Sequence, residues 1–90
     1  MQQANPGCIT LPADHHLVVV GGCGGIGHAI VQAAHAQRAR ISVIDLPQSL
    51  QRRALPSQIH TIAADIRNAD AVRDAFAAIA RHRPGIDGLV

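Results

Sequence analysis

The chain has 90 residues, 48% of them hydrophobic, and a formal net charge of +2. That length allows one small domain. Its eight basic residues are all arginines, scattered without a run, and Phe76 is the sole aromatic; a nucleic-acid footprint needs clustered cations and stacking rings, so nucleic-acid partners are excluded. No apolar stretch reaches the roughly 18 residues of a membrane span. The start has neither a basic n-region nor an apolar h-region, so no secretory signal is expected. Two cysteines, Cys8 and Cys23, are too few for a disulfide scaffold, and the chain reads as reduced and cytoplasmic.

In chain order, residues 1–16 carry Pro6, Gly7 and Pro12 and read as an irregular lead-in to one folded unit over 17–90. Leu17 to Val20 is a short, wholly apolar run, the pattern of a strand buried on both faces. After the glycines that follow, Ile26, Ala29, Ile30, Ala33 and Ala34 form one helical stripe, with His28, Gln32 and His35 on the opposite, wet face. Arg38 suits that helix's C-terminus. Ile41 to Ile44 is a second strand, stopped by Leu46-Pro47, and Gln48 to Ala54 has room for one or two helical turns. Ile59 to Ala63 is a third strand. Asn68 is placed to cap a second main helix, with Asp70 in its first turn and Ala71, Val72, Ala75, Phe76, Ile79 and Ala80 as its apolar stripe. Pro84-Gly85 breaks that helix, and Ile86 to Val90 begins a fourth strand. The β-α-β-(α)-β-α-β order predicts an α/β fold. It is the first half of a doubly wound parallel sheet, about four strands with flanking helices.

The most informative segment is Val20-Gly21-Gly22-Cys23-Gly24-Gly25-Ile26-Gly27, where strand passes into helix. Glycines there let backbone N–H groups approach a pyrophosphate at a helix N-terminus. Eighteen residues after Gly27, Asp45 ends the second strand, where a carboxylate takes ribose hydroxyls. The loop fits three spellings at once: G-x-G-x-x-G on Gly22, Gly24 and Gly27; G-x-x-x-G-x-G on Gly21, Gly25 and Gly27; and G-x-x-G-x-x-G on Gly21, Gly24 and Gly27. Without the strand, helix and acid around it, such a loop is an ordinary glycine-rich turn.

Taken together, Leu17 to Val90 resembles the short-chain dehydrogenase/reductase family. Its compact branch uses the G-x-x-x-G-x-G spelling, usually with Ile at position 26. In that family the third strand ends in an Asp followed by Val or Ile, which hold the adenine; here these are Asp65-Ile66. Ile86-Asp87-Gly88-Leu89-Val90 resembles the family's fourth strand, after which Asn-Asn-Ala-Gly normally follows. Val20 departs from the usual Thr. The extended branch, with its sugar-nucleotide epimerases, remains a rival because Gly21-Gly22-Cys23-Gly24 and Ile26-Gly27 fit its loop too.

The resemblance implies a partial Rossmann fold with NAD(H) held by Gly21, Cys23, Gly24, Gly25, Ile26, Gly27, Asp45, Leu46, Asp65 and Ile66. Asp45 would repel a 2′-phosphate. The two places where the family puts a basic residue for NADP hold Gly24 and Leu46, so NAD is favoured over NADP. Arg52 and Arg53 could swing in toward a phosphate from the next segment, but a solvated face is the simpler reading. Cys23, at a helix start that could lower its pKa, is a candidate reactive thiol, though a small tolerated residue is the simpler reading. Six histidines invite a metal, but His15 and His16 are adjacent, His28 and His35 are spaced i, i+7, and His60 and His82 stand apart in sequence. No metal site is expected.

The activity implied is hydride transfer between a nicotinamide ring and a carbonyl or alcohol carbon, served in the family by a tyrosine, a lysine, a serine and an asparagine. The chain has no tyrosine and no lysine. Ser42, Ser49 and Ser57 lie in the wrong segments, and Asn5 and Asn68 come too early, so no catalytic residue is assigned. The sequence reads as the N-terminal portion of an NAD-dependent oxidoreductase, not catalytic by itself, with a small-molecule substrate held only if a C-terminal half is present. The alternatives are a non-catalytic nucleotide- or partner-binding module, or a gene remnant. Oligomeric state is not specified.

Overall fold

The computed structural model describes residues 15–90; the remaining lead-in lies outside the described residues. Strand β1 (His16–Val20) leads into helix α1 (Gly25–Ala36), then β2 (Arg40–Asp45), a short α2 (Pro47–Arg52), β3 (His60–Ala63), α3 (Ala69–His82) and β4 (Gly88–Leu89). The strands form one parallel sheet in the order β3-β2-β1-β4. Parallel neighbours require crossover connections; α1 and α2 supply them on one face and α3 on the other, so this is the doubly wound half-sheet that the sequence predicts.

Strand parity explains the two-sided core. Leu17 and Val19 of β1 and Ile41 and Val43 of β2 pack with Val31 and Ala34 of α1. The intervening Val18 and Ile44 pack with Ala75 and Ile79 of α3. Val18, Val19, Val43 and Ile79 are fully buried. A strand apolar on both sides cannot alternate polar and apolar residues, which is why β1 reads as a continuous run.

Local signals set most of the ends. Asn68 caps α3, its side-chain oxygen accepting from the amides of Asp70 (3.0 Å) and Ala71 (3.2 Å). Pro47 occupies the first turn of α2, where its missing N–H costs nothing. Arg38 turns the chain after α1 with φ +64°. The strands start and stop one to two residues away from the expected limits: β1 opens at His16, β2 spans Arg40–Asp45, and β4 shrinks to two residues.

One expectation is corrected. The side of α1 that faces the sheet carries Val31 and Ala34, while Ile26 is 82% exposed and Ala29 and Ala33 are also exposed. The packed stripe is Gly27, Ile30, Val31 and Ala34, rotated by roughly a quarter turn from the expected one. The cause lies in Gly27, whose hydrogen faces the carbonyl oxygen of Gly21 with no room for a Cβ. Contact with the loop fixes the helix rotation before side-chain hydrophobicity can. The displaced residues Ile26, Ala29 and Ala33 line an open apolar groove of about 450 Å³ with Leu17 and Val90.

Candidate nucleotide site

The turn from β1 to α1 is held by three backbone bonds. Gly21 N–H donates to Ile44 O (2.7 Å), Gly24 N–H to Gly21 O (3.0 Å), and His28 N–H to Gly24 O (2.7 Å). Gly21 has φ +77°, a conformation that side chains disfavour. With Gly27 packed beneath it, the loop lies flat over the start of α1. The N-cap, Gly24, has no capping side chain, and the first turn of α1 holds no acid. The first turn of this helix thus lacks the capping side chain and acid that Asn68 and Asp70 give α3.

Asp45 ends β2 beside this loop. Its Oδ2 accepts from Cys23 N–H at 3.0 Å and its Oδ1 from Leu46 N–H at 2.8 Å. The carboxylate therefore ties the second strand to the glycine turn, and it keeps lone pairs for further donors. A cavity of about 360 Å³ opens here, lined by Gly21, Cys23, Gly24, Asp45, Ser49, Arg52 and Arg53. The structure thus brings together four of the expected nucleotide residues, Gly21, Cys23, Gly24 and Asp45.

The other expected residues lie elsewhere. Gly25 and Ile26 line the apolar groove on the outer side of α1, and Gly27 serves the turn from below. Leu46 contributes its backbone amide to Asp45. Asp65 follows β3, and its carboxylate is engaged by Arg67: Nη2 donates to Oδ2 at 2.8 Å, Nε to Oδ1 at 3.0 Å, and the Arg67 amide to Oδ1 at 2.9 Å. These bonds hold Asp65 down at about 2. Ile66 is 59% exposed.

Arg52 and Arg53 are exposed, as a solvated face requires, and they also line the open Asp45 cavity, reaching the loop from the end of α2. Cys23 is buried, and its thiol donates to the Arg53 carbonyl oxygen at 3.7 Å. Burial and the adjacent Asp45 carboxylate push the thiol up from its ordinary value, so the lowered pKa considered for a reactive thiol is not found. Among the described residues, no group of three or more His, Cys, Asp or Glu side chains is arranged to hold a metal ion, and no helix is long and apolar enough to cross a membrane.

A parallel half-sheet with a glycine turn at the end of β1 and a carboxylate at the end of β2 defines a dinucleotide-binding class of α/β protein. Comparison with known proteins narrows the class. The model of the short chain dehydrogenase family matches residues 15–90. The sorbitol-6-phosphate 2-dehydrogenase of Klebsiella pneumoniae is 35% identical over 77 residues, which are 86% of this chain and 28% of that protein. A short-chain dehydrogenase/reductase from Brucella melitensis, described as a glucose/ribitol dehydrogenase, superposes with a TM-score of 0.73 at 34% identity, over 86% of this chain and 35% of its own. A short-chain dehydrogenase from Bacillus anthracis shares the fold at a TM-score of 0.69 and 24% identity, over 84% of this chain and 34% of its own. The chain belongs to the short-chain dehydrogenase/reductase family, whose members use nicotinamide cofactors. It spans about a third of the length of the relatives it matches.

Proposed function

We propose that this chain holds the adenosine side of NAD(H) for an oxidoreductase that moves hydride between a nicotinamide ring and a carbonyl or alcohol carbon. The observation that carries the reading is Asp45, fixed by the Cys23 and Leu46 amides at the mouth of the glycine-turn cavity. The residues fit the group. The Asp45 carboxylate would accept ribose hydroxyls, and the free amides of the first turn of α1 would face the pyrophosphate. The glycines keep that approach clear of side chains. When bound, the nicotinamide supplies or accepts the hydride, and this chain's residues bind and orient.

The chain has no tyrosine or lysine to protonate or deprotonate a substrate oxygen, so binding without turnover is the behaviour proposed for these 90 residues alone. Asp65 and Ile66 are proposed to border the adenine. A sugar-alcohol or sugar-phosphate substrate for the whole enzyme is supported by the names of the Klebsiella and Brucella relatives.

A second reading concerns the cofactor. Arg52 and Arg53 share the cavity with Asp45, and two guanidinium groups would offset part of the repulsion between that carboxylate and a 2′-phosphate. Calorimetric titration of the chain with NAD and NADP tests both readings. NAD binding more tightly, with the preference lost in Asp45→Ala, supports the primary one. NADP binding more tightly than NAD, with the advantage lost in Arg52→Gln/Arg53→Gln, supports the second. No binding of either would sink both.

A further inference from the structure

At the end of the sheet opposite the glycine turn, four side chains from four elements form a polar chain. Parity places His16, Ser42 and His60, on β1, β2 and β3, on the face covered by α3. His16 and Ser42 are buried, at 2% and 1% exposure. His16 Nε2 lies 3.0 Å from Ser42 Oγ, which lies 3.5 Å from His60 Nδ1. The His60 ring then stacks on that of His82, in the last turn of α3, with centroids 3.8 Å apart and planes inclined by 20°. The far ring nitrogen of His16 is 2.7 Å from the carbonyl oxygen of Gly85, just after α3. These histidines stand far apart in sequence, and the fold brings three of them together.

Hydrogen-bond chemistry sets the protons. The Gly85 carbonyl only accepts, so His16 Nδ1 carries a proton and, in a neutral ring, Nε2 accepts from the Ser42 hydroxyl. His60 can then meet that oxygen only as a donor from Nδ1. This arrangement is complete with neutral rings.

We propose that the His60–His82 stack is an acid-released latch that holds the C-terminal end of α3 on the sheet. His82 is exposed at the negative end of α3, where a charged ring is accommodated. With His60 also protonated, two imidazolium rings stand face to face. The neighbouring groups are the His16 ring from β1, neutral in this bonding pattern, and Arg40 of β2 and Arg83 after α3, which line an adjoining cavity of about 190 Å³ with His16, Ser42, Gln58 and His82. Among the described residues Asp87 brings a carboxylate to this end, and it accepts from the backbone N–H of His16 at 2.8 Å. Burial, His82 and His16 lower the His60 pKa in that order. A lowered histidine value stabilises the fold fully above the unfolded value of 6.5, and that contribution is lost as pH falls through the lowered one. Release frays the turn that carries Ile79, the fully buried anchor of α3, while the glycine turn lies at the far end of the sheet.

The test is amide hydrogen exchange of the whole chain between pH 7.5 and 4.5, corrected for intrinsic rates, with NMR titration of the histidine ring protons. The expected result is that the His60 midpoint lies below 6.5, and that exchange across 79–83 rises by up to roughly tenfold per pH unit as pH falls from 6.5 toward that midpoint and levels off below it, while α1 stays protected. His82→Gln, on an exposed side chain, should raise the His60 midpoint and remove the acid-dependent exchange, and His60→Gln should remove it too. Loss of α1 and α3 protection together, or acid-dependent exchange persisting unchanged in both variants, would overturn the proposal.

Discussion

The Asp45 carboxylate and the Cys23 backbone amide meet at 3.0 Å, and this one bond couples the end of β2 to the glycine turn after β1. The same carboxylate also receives the Leu46 amide, so the candidate ribose acceptor is preorganised by the chain. Asp45→Ala removes an acceptor from two amides. The expected cost in stability is about 1–3 kcal/mol, read as a lower denaturant midpoint with an unchanged slope. NAD affinity should fall by roughly tenfold or more, and the preference over NADP should narrow. Asp45→Asn retains one carbonyl acceptor and should lose less stability than Asp45→Ala. Equal stability of wild type and Asp45→Ala would show that the turn holds without this bond.

Gly27 and Gly25 sit in the same helical turn and should respond oppositely to a methyl group. A Cβ at Gly27 meets the Gly21 carbonyl oxygen and carbon, whereas one at Gly25 meets nothing within 4 Å. Gly27→Ala should therefore displace the loop or unfold the chain. Gly25→Ala should be neutral or stabilising by up to about 1 kcal/mol, the difference in helix propensity. Thermal unfolding followed by circular dichroism distinguishes the two, and equal melting temperatures would refute the packing described for Gly27.

The order and type of the elements were legible in the sequence, because each apolar run, Asn68 and Pro47 act locally. The rotation of α1 was not. It follows from a backbone contact between Gly27 and Gly21, and a helical wheel counts side chains only. Asp45 was legible from its spacing to the loop, whereas the sequence left two places open for Arg52 and Arg53, since α2 brings them to the cavity through tertiary packing. Nor could spacing reveal the His60–His82 stack, in which strand parity and the length of α3 bring together residues 22 positions apart.

Ile79 and Ile26 test that corrected core. Ile79 of α3 is fully buried, and Ile26 of α1 is 82% exposed. Ile79→Ala should cost about 2–5 kcal/mol through lost contacts and a residual cavity. For Ile26→Ala the expected change lies within about 0.5 kcal/mol. Urea denaturation of the two variants provides the comparison. A larger loss for Ile26→Ala would restore the stripe expected from sequence as the true packing face.

Asp65 and Arg67 give a pH signature separate from that of the histidines. The paired guanidinium and amide hold the Asp65 carboxyl at about 2, below its ordinary 3.8. A depressed carboxylate value contributes stability that is complete above the unfolded value and lost as pH falls through the folded one. The window is thus about 2 to 4, well below that of His60. Both partners are solvent-accessible, with side-chain exposures of 85% for Arg67 and 37% for Asp65, so the effect on global stability should be small. Carboxyl-carbon NMR should place the Asp65 midpoint near 2 in the native chain and return it toward the ordinary range in Arg67→Gln. An unmoved midpoint in that variant would mean that the fork is not what lowers it. If Asp65 also borders the adenine of a bound dinucleotide, NAD should change this resonance together with that of Asp45; a change at Asp45 alone would confine the binding surface to the glycine-turn cavity.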